Sequence, residues 1–143
     1  MTKKSEPKIH LTSPGPESIK LMKLQEKYVP NGVAFTVPIF VTSSQGATIT
    51  DVDGNTYIDF ATGISCLNIG HRNPEVIAEI KTQLEKYLHL SYHVTPYEPY
   101  IRLAEKLATI APGDFDKKVV LVNSGAEAVE NAVKIARKYT GKH

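Results

Sequence analysis

The sequence predicts an α/β fold whose first part is built around a β-hairpin. Three observations carry this. Asp53-Gly54 stands between β-formers, and the second half of the chain shows apolar stripes at helical spacing. Finally, Val119-Val120-Leu121-Val122 is a continuous apolar run that breaks at Asn123-Ser124-Gly125 into another helical pattern. Glycine takes a positive φ at no steric cost, which makes Asp-Gly a hairpin marker. An uninterrupted apolar run is the pattern of a strand buried on both faces. The change from hairpin to α/β falls near Ala61.

In chain order, residues 1–18 are polar and rich in Pro and Ser, and read as a loose arm. Leu21, Leu24 and Tyr28 then fall at helical spacing, which predicts a short helix over residues 19–28. Val33 to Thr42 is rich in β-formers but carries Pro38, so it reads as an edge strand or an extended segment. Ala47 to Phe60 holds the hairpin. Asn73-Pro74-Glu75 combines an N-cap, a proline at the first helical position and an acid in the first turn. Ile77, Ile80, Leu84 and Leu88 follow as one apolar stripe. Pro99 opens a second helix whose Tyr100, Leu103, Ala104, Leu107 and Ala111 are expected to face inward until Pro112-Gly113. Ala126 to Tyr139 reads as a third, with Val129, Ala132, Val133 and Ala136 on its buried stripe and Glu130–Lys134 as an i,i+4 pair.

Composition narrows the function classes. Lys plus Arg total 17 against 15 Asp plus Glu, so the net charge is only +2 and the basic residues form no tract. That argues against nucleic acid or an anionic membrane as the main partner. No apolar run approaches bilayer length, and the first residues have no hydrophobic stretch behind them. The protein is expected to be cytoplasmic. Its single cysteine, Cys66, excludes an internal disulfide, and with no local base or cation cluster it reads as a buried, inert thiol.

The strand–turn–helix from Val119 to Tyr139 carries most of the chemistry. A helix N-terminus presents unpaired N–H groups and the positive end of the dipole, which favours an anion by roughly 0.3–2 kcal/mol. Ser124 adds a hydroxyl and Gly125 lets a ligand approach the backbone, an arrangement that suits a phosphate monoester. Equally, Ser124 reads as a plain helix cap and Gly125 as part of a tight turn. Walker P-loop spacing and the partner glycines of a dinucleotide fingerprint are both missing. His89 and His93 stand four apart, a metal pair only if helical, but Pro96 is near and no thiol joins them, so no metal is expected. Glu127 and Glu130 read either as paired carboxylates or as acids complementing a helix dipole.

Residues 123–132, Asn-Ser-Gly-Ala-Glu-Ala-Val-Glu-Asn-Ala, resemble the phosphate-cup motif of class III pyridoxal-phosphate-dependent aminotransferases of fold type I. Upstream, Asp51-Val-Asp-Gly-Asn-Thr-Tyr-Ile-Asp-Phe60 is similar to that family's hairpin, and Gly63-Ile64 through Gly70-His71 to its following loop. Tyr97-Glu98-Pro99-Tyr100 and Ala111-Pro112-Gly113 fall in the family's order. The wording of residues 96–140 is closest to 4-aminobutyrate aminotransferases, with acetylornithine and ornithine aminotransferases and aminomutases as neighbours.

The resemblance implies the N-terminal part of a fold type I transferase. Residues 1–18 would be a flexible arm, and 19–60 the small-domain segment with its hairpin. Residues 61–143 would be the incomplete start of the large α/β domain that binds the cofactor. It implies pyridoxal 5'-phosphate as cofactor, with Ser124, Gly125 and Ala126 at its phosphate. Where some relatives have Ser or Thr, Ala126 offers only its amide. Ile64 would line the substrate pocket, with loop packing as the other reading. His93 would stand near the pocket, or simply pack or face solvent. The substrates would be an ω-amino acid and a 2-oxo acid, the assembly a homodimer.

No residue is assigned as catalytic. The Schiff-base lysine and the acid at the ring nitrogen lie downstream in relatives, and Lys134, Lys138 and Lys142 sit on no matching motif. The chain is therefore expected to be part of a longer protein, with residues 1–143 alone a non-catalytic piece that keeps the phosphate-binding turn.

Overall fold

The computed structural model describes residues 6–142, which divide into two units after Leu88. Backbone pairing between Gly46 and His71 keeps the residues just after the hairpin with the first unit.

In the first unit, helix α1 (Pro16–Tyr28) precedes a three-stranded antiparallel sheet of β1 (Val41–Gln45), β2 (Thr48–Asp51) and β3 (Thr56–Ile58), in that order. β1 lies later than the β-rich stretch of residues 33–42, because Pro38 has no N–H to give a ladder and pairing begins only at Val41↔Asp51. The hairpin between β2 and β3 forms at Asp53-Gly54 as expected. Its loop is three residues wide: the Asp51 amide donates to the Asn55 carbonyl at 2.9 Å, and Gly54 alone of the loop takes a positive φ, of 85°.

Residues 8–18 are not a loose arm. Lys8 and Thr56 exchange both backbone hydrogen bonds, at 2.9 and 2.8 Å, and α1 starts at Pro16. The hairpin turn supplies the fastening. Asn55 Oδ1 accepts from the amides of His10 (2.7 Å) and Leu11 (2.9 Å), while Asp53 accepts from those of Glu17 (2.8 Å) and Ser18 (3.0 Å). Asp53 thereby caps α1 from another part of the chain, in place of the side chain that its N-cap residue, Gly15, lacks. A Cβ on Gly15 would stand 2.4 Å from Asp53 Cγ, so glycine is required there by close approach. Residues 1–5 of the expected arm lie outside the described residues.

After β3 comes a four-residue turn, α2 (Thr62–Ser65), with a left-handed backbone, then α3 (Pro74–Leu84). Asn73 caps α3 as read from the sequence, accepting from the amides of Glu75 (3.0 Å) and Val76 (3.3 Å). The second unit holds α4 (Glu98–Ile110) and α5 (Gly125–Thr140).

The apolar stripes do not form a core. Among the described residues no apolar side chain is buried; Ser18, Thr48, Asp51 and Asn55 are the buried polar ones. Ile80, Leu84, Leu88, Leu103, Val129 and Val133, expected to face inward, are exposed. Their faces have nothing to meet, since in neither unit does a helix lie against another helix or against a strand.

Candidate functional site

α5 begins where the sequence places the turn, one residue earlier than its apolar periodicity indicated. Ser124 is its N-cap with an extended backbone (φ −147°, ψ 159°), and Gly141 closes it in a left-handed conformation (φ 67°). The Glu127 amide donates to Ser124 Oγ at 3.2 Å. In return Glu127 Oε2 accepts from the amides of Asn123 (2.7 Å) and Ser124 (3.0 Å), completing a capping box. The cap reading of Ser124 is therefore correct, and Glu127 serves the helix terminus. Glu130 pairs separately with Lys134 at 2.6 Å, so these two glutamates are not a catalytic pair.

The cap leaves something over. The amides of Gly125 and Ala126, the first two of the helix, have no acceptor among the described residues. A Cβ added at Gly125 would meet nothing within 4 Å, so the space beside it is open. Two free amides, an open approach and the positive end of a 16-residue helix form an arrangement that receives a phosphate. On these grounds the residues fit the phosphate of pyridoxal 5'-phosphate. The Ser124 N–H is taken by Glu127, but its Oγ only accepts from the Glu127 amide, so its hydroxyl proton is still free to be donated.

The segment leading into the turn departs from expectation. Val119–Val122 belongs to no strand, and among the described residues nothing pairs with it. Instead of being buried on both faces it alternates. Val119 and Leu121 are half-buried, whereas Val120 and Val122 are 61% and 37% exposed. The Leu121 amide donates to Tyr100 Oη on α4 at 3.0 Å.

Ile64 sits in the α2 turn, 88% exposed, with φ 55° and ψ 62°. A β-branched residue is strained in that region. His93 lies exposed in the turn closed by donation from the Val94 and Thr95 amides to the Ser91 carbonyl, at 3.0 and 2.9 Å. It belongs to the second unit and Ile64 to the first. His89 and His93 are not on a helix, and no group of three metal-ligating side chains occurs among the described residues. Cys66 is exposed rather than packed away, because it follows the exposed α2 turn.

Sequence reasoning missed a set of contacts that fixes the base of α2. Asp59 Oδ1 accepts from the amides of Ala61 (2.9 Å) and Thr62 (3.0 Å), and Asp59 Oδ2 bonds His71 Nε2 at 2.7 Å. The hydrogen bond from His71, joined by those amides, holds the Asp59 carboxyl below the ordinary aspartate range. The His71 backbone pairs with Gly46 in both directions, at 2.7 and 3.0 Å. Gly70 has φ 84°, and a Cβ there would stand 3.1 Å from the Gly46 carbonyl oxygen, which accounts for glycine before His71. Asp59 and Gly70-His71 were visible as motif letters, but nothing in their spacing of twelve residues announces a pair.

A family model described as Aminotransferase class-III matches residues 28–143. The chain is 51% identical over 122 residues to 5-aminovalerate aminotransferase DavT of Pseudomonas putida, covering 85% of this chain and 29% of that one. It is 46% identical over 129 residues to 4-aminobutyrate aminotransferase of Mycobacterium leprae, covering 90% and 29%. The chain thus spans under a third of the length of these curated relatives. Among solved structures, acetylornithine aminotransferase from Elizabethkingia anophelis superposes with a TM-score of 0.74 at 32% identity, over 86% of this chain and 31% of that one. Taurine:2-oxoglutarate aminotransferase from Bifidobacterium kashiwanohense, in complex with PLP and glutamate, gives 0.75 at 31%, over 87% and 28%. The described residues have the fold of the corresponding part of these enzymes, and the chain belongs to the class III aminotransferase family.

Proposed function

We propose that the protein carrying these residues is a pyridoxal-phosphate-dependent aminotransferase. It moves an amino group from an ω-amino acid such as 4-aminobutyrate to a 2-oxo acid such as 2-oxoglutarate. The observation that carries this reading is the α5 N-terminus, with the unpartnered amides of Gly125 and Ala126 beside open space. When bound, pyridoxal phosphate supplies the carbonyl that takes up the donor's amino group and passes it to the acceptor. These residues contribute its anchorage: the Gly125 and Ala126 amides hold the phosphate, with Ser124 at its edge, and Glu127 keeps the turn in shape.

The choice of donor follows the relatives. Those named for 4-aminobutyrate or 5-aminovalerate are 46–52% identical, whereas the solved acetylornithine and ornithine enzymes are 25–34% identical. Ile64 and His93 are assigned to the substrate pocket, residues 61–143 to the cofactor-binding domain, and the complete enzyme to a cytoplasmic homodimer. The dimer is supported by the exposed apolar residues of the helices, such as Ile80, Leu84, Leu103 and Val133; among the described residues no helix is long and apolar enough to cross a membrane.

Replacing Gly125 with valine tests the anchorage. The added side chain meets nothing in the protein, so the change intrudes on the ligand's space more than on the fold. Spectroscopic titration with pyridoxal 5'-phosphate should show affinity at least about tenfold lower, the equivalent of one good hydrogen bond to a charged group. Equal affinity in the two proteins would remove the assignment.

A second reading applies to residues 1–143 taken alone: a non-catalytic piece retaining the phosphate-binding turn. It is favoured by the lack of any buried apolar side chain among the described residues, and by Lys134 being held in an exposed ion pair with Glu130.

A further inference from the structure

We propose that Tyr100 is a positioning residue for the phosphate-binding turn, holding through the Leu121 amide the segment that runs into it. The proposal rests on the reading of Gly125 and Ala126 given above and names what keeps those amides in place.

Tyr100 lies in the first turn of α4, and its Oη accepts from the Leu121 amide at 3.0 Å. Among the described residues, Leu121 is the only member of residues 119–122 whose amide has an acceptor, because the segment pairs with no strand. Ser124 follows Leu121 by three positions, at most about 10 Å of extended chain. A shift at Leu121 therefore passes to the turn with little slack.

The hydroxyl is itself well held. The Tyr100 ring stacks on Tyr92 with centroids 4.2 Å apart and planes 24° apart. Tyr97 stands edge-on to Tyr92 at 5.2 Å and 88°, and to Tyr100 at 6.4 Å and 76°. All three rings are half-buried. Offset-stacked and edge-to-face geometries are the favoured aromatic contacts, so the trio fixes the ring that carries the acceptor. An acceptor on a locked ring sets the position of its donor, whereas one on a free rotor would follow it. The amides of Gly125 and Ala126 must face a phosphate within hydrogen-bonding range, where a small displacement weakens each bond steeply.

A merely structural role for Tyr100 makes a different prediction from a positioning one, and two ligands separate them. Pyridoxal 5'-phosphate and pyridoxal differ only in the phosphate, so the dissociation constant of pyridoxal divided by that of pyridoxal 5'-phosphate reads the turn alone. In the protein carrying these residues, Tyr100→Phe keeps the ring and its stacking while removing the acceptor. The expected result is a ratio lowered about 5- to 10-fold, with pyridoxal affinity unchanged and faster exchange of the Leu121 amide. Loss of stability alone would lower both affinities together and leave the ratio where it was. An unchanged ratio despite faster Leu121 exchange would overturn the positioning role while leaving the phosphate turn standing. No preference for the phosphorylated ligand in the unmodified protein would remove the phosphate turn and the positioning role together. Should Tyr100→Phe fail to fold, Tyr92→Leu unseats the ring but spares the hydroxyl, and it must lower the same ratio. An unchanged ratio in that variant overturns the proposal equally.

Discussion

Asn55→Ala should be among the most damaging single changes in the first unit. Asn55 is fully buried and serves three groups at once. Its Oδ1 accepts from the His10 and Leu11 amides, and its Nδ2 donates to Asp51 Oδ2 at 3.0 Å. Alanine strands all three. A buried polar group left without a partner costs about 1–3 kcal/mol. The two amides are only part-buried, so water recovers some of that loss and each falls near the lower end. Asp51 keeps the Tyr57 hydroxyl at 2.8 Å and two backbone amides, so its own loss is also small. The sum is roughly 3 kcal/mol, enough to release residues 8–11 from the hairpin. Urea unfolding should show a lowered midpoint with little change in slope, and exchange of the His10 and Leu11 amides should rise on the order of 100-fold. Asn55→Asp should be no better at neutral pH, because it sets a second carboxylate against Asp51. A midpoint shift worth less than about 0.5 kcal/mol for Asn55→Ala would show that the fastening is ornamental and refute the reasoning.

Acid should loosen the same unit. Asp51 and Asp53 are held below the ordinary aspartate value of 3.8 despite desolvation, by hydrogen bonds from Tyr57 and Asn55 and from Ser18 and Glu17 respectively, with Lys20 also facing Asp53. Asp59 is held below it chiefly by His71. A carboxylate with a depressed folded pKa contributes stability that is fully present above its unfolded value and lost as pH falls through the folded one. Stability should therefore be level above about pH 5 and fall below about pH 4; a melting temperature flat from pH 6 to pH 3 would contradict this. Residues 1–143 taken alone should show no amino transfer to 2-oxoglutarate. Borohydride reduction with pyridoxal phosphate should label their lysines without site preference, and one stoichiometric label with turnover would reverse that expectation. The complete enzyme should sediment as a dimer, and a monomer at micromolar concentration would tell against the proposed assembly.

What the sequence disclosed depended on how local the cause was. The caps at Asn73 and Ser124, the turn at Gly54 and the pair Glu130–Lys134 each depend on residues no more than four apart, and all were legible. The turn from Asn123 to Ala126 was legible for the same reason, its residues being consecutive. Asn55 with His10 and Asp53 with Glu17 join positions 45 and 36 residues apart, so the sequence offered the hairpin but not its hold on the preceding chain. The strand at Val119–Val122 failed for another reason. Its apolar run describes an environment that other parts of a sheet must supply, and among the described residues no strand pairs with it. A pattern can be correct about what a segment needs while the segment stands without it.

Glu127 shows why the phosphate turn is an anchor and not a complete site. Its carboxylate holds the Asn123 and Ser124 amides at 2.7 and 3.0 Å, so half of the donors near the α5 terminus already face a negative charge. A phosphate reaching Gly125 and Ala126 must settle beside that carboxylate. Two unit charges 5 Å apart repel by roughly 3 kcal/mol at the effective dielectric of a protein surface, which is comparable to what the helix terminus offers in return. Exposure of the turn to water and salt softens the repulsion and the attraction alike. The terminus thus sets where a phosphate goes, and the affinity it adds is what its amides and dipole give beyond that repulsion. Removing the carboxylate would relieve the repulsion but free the Asn123 and Ser124 amides and the cap they hold. The box is therefore best understood as trading affinity for a fixed direction of approach.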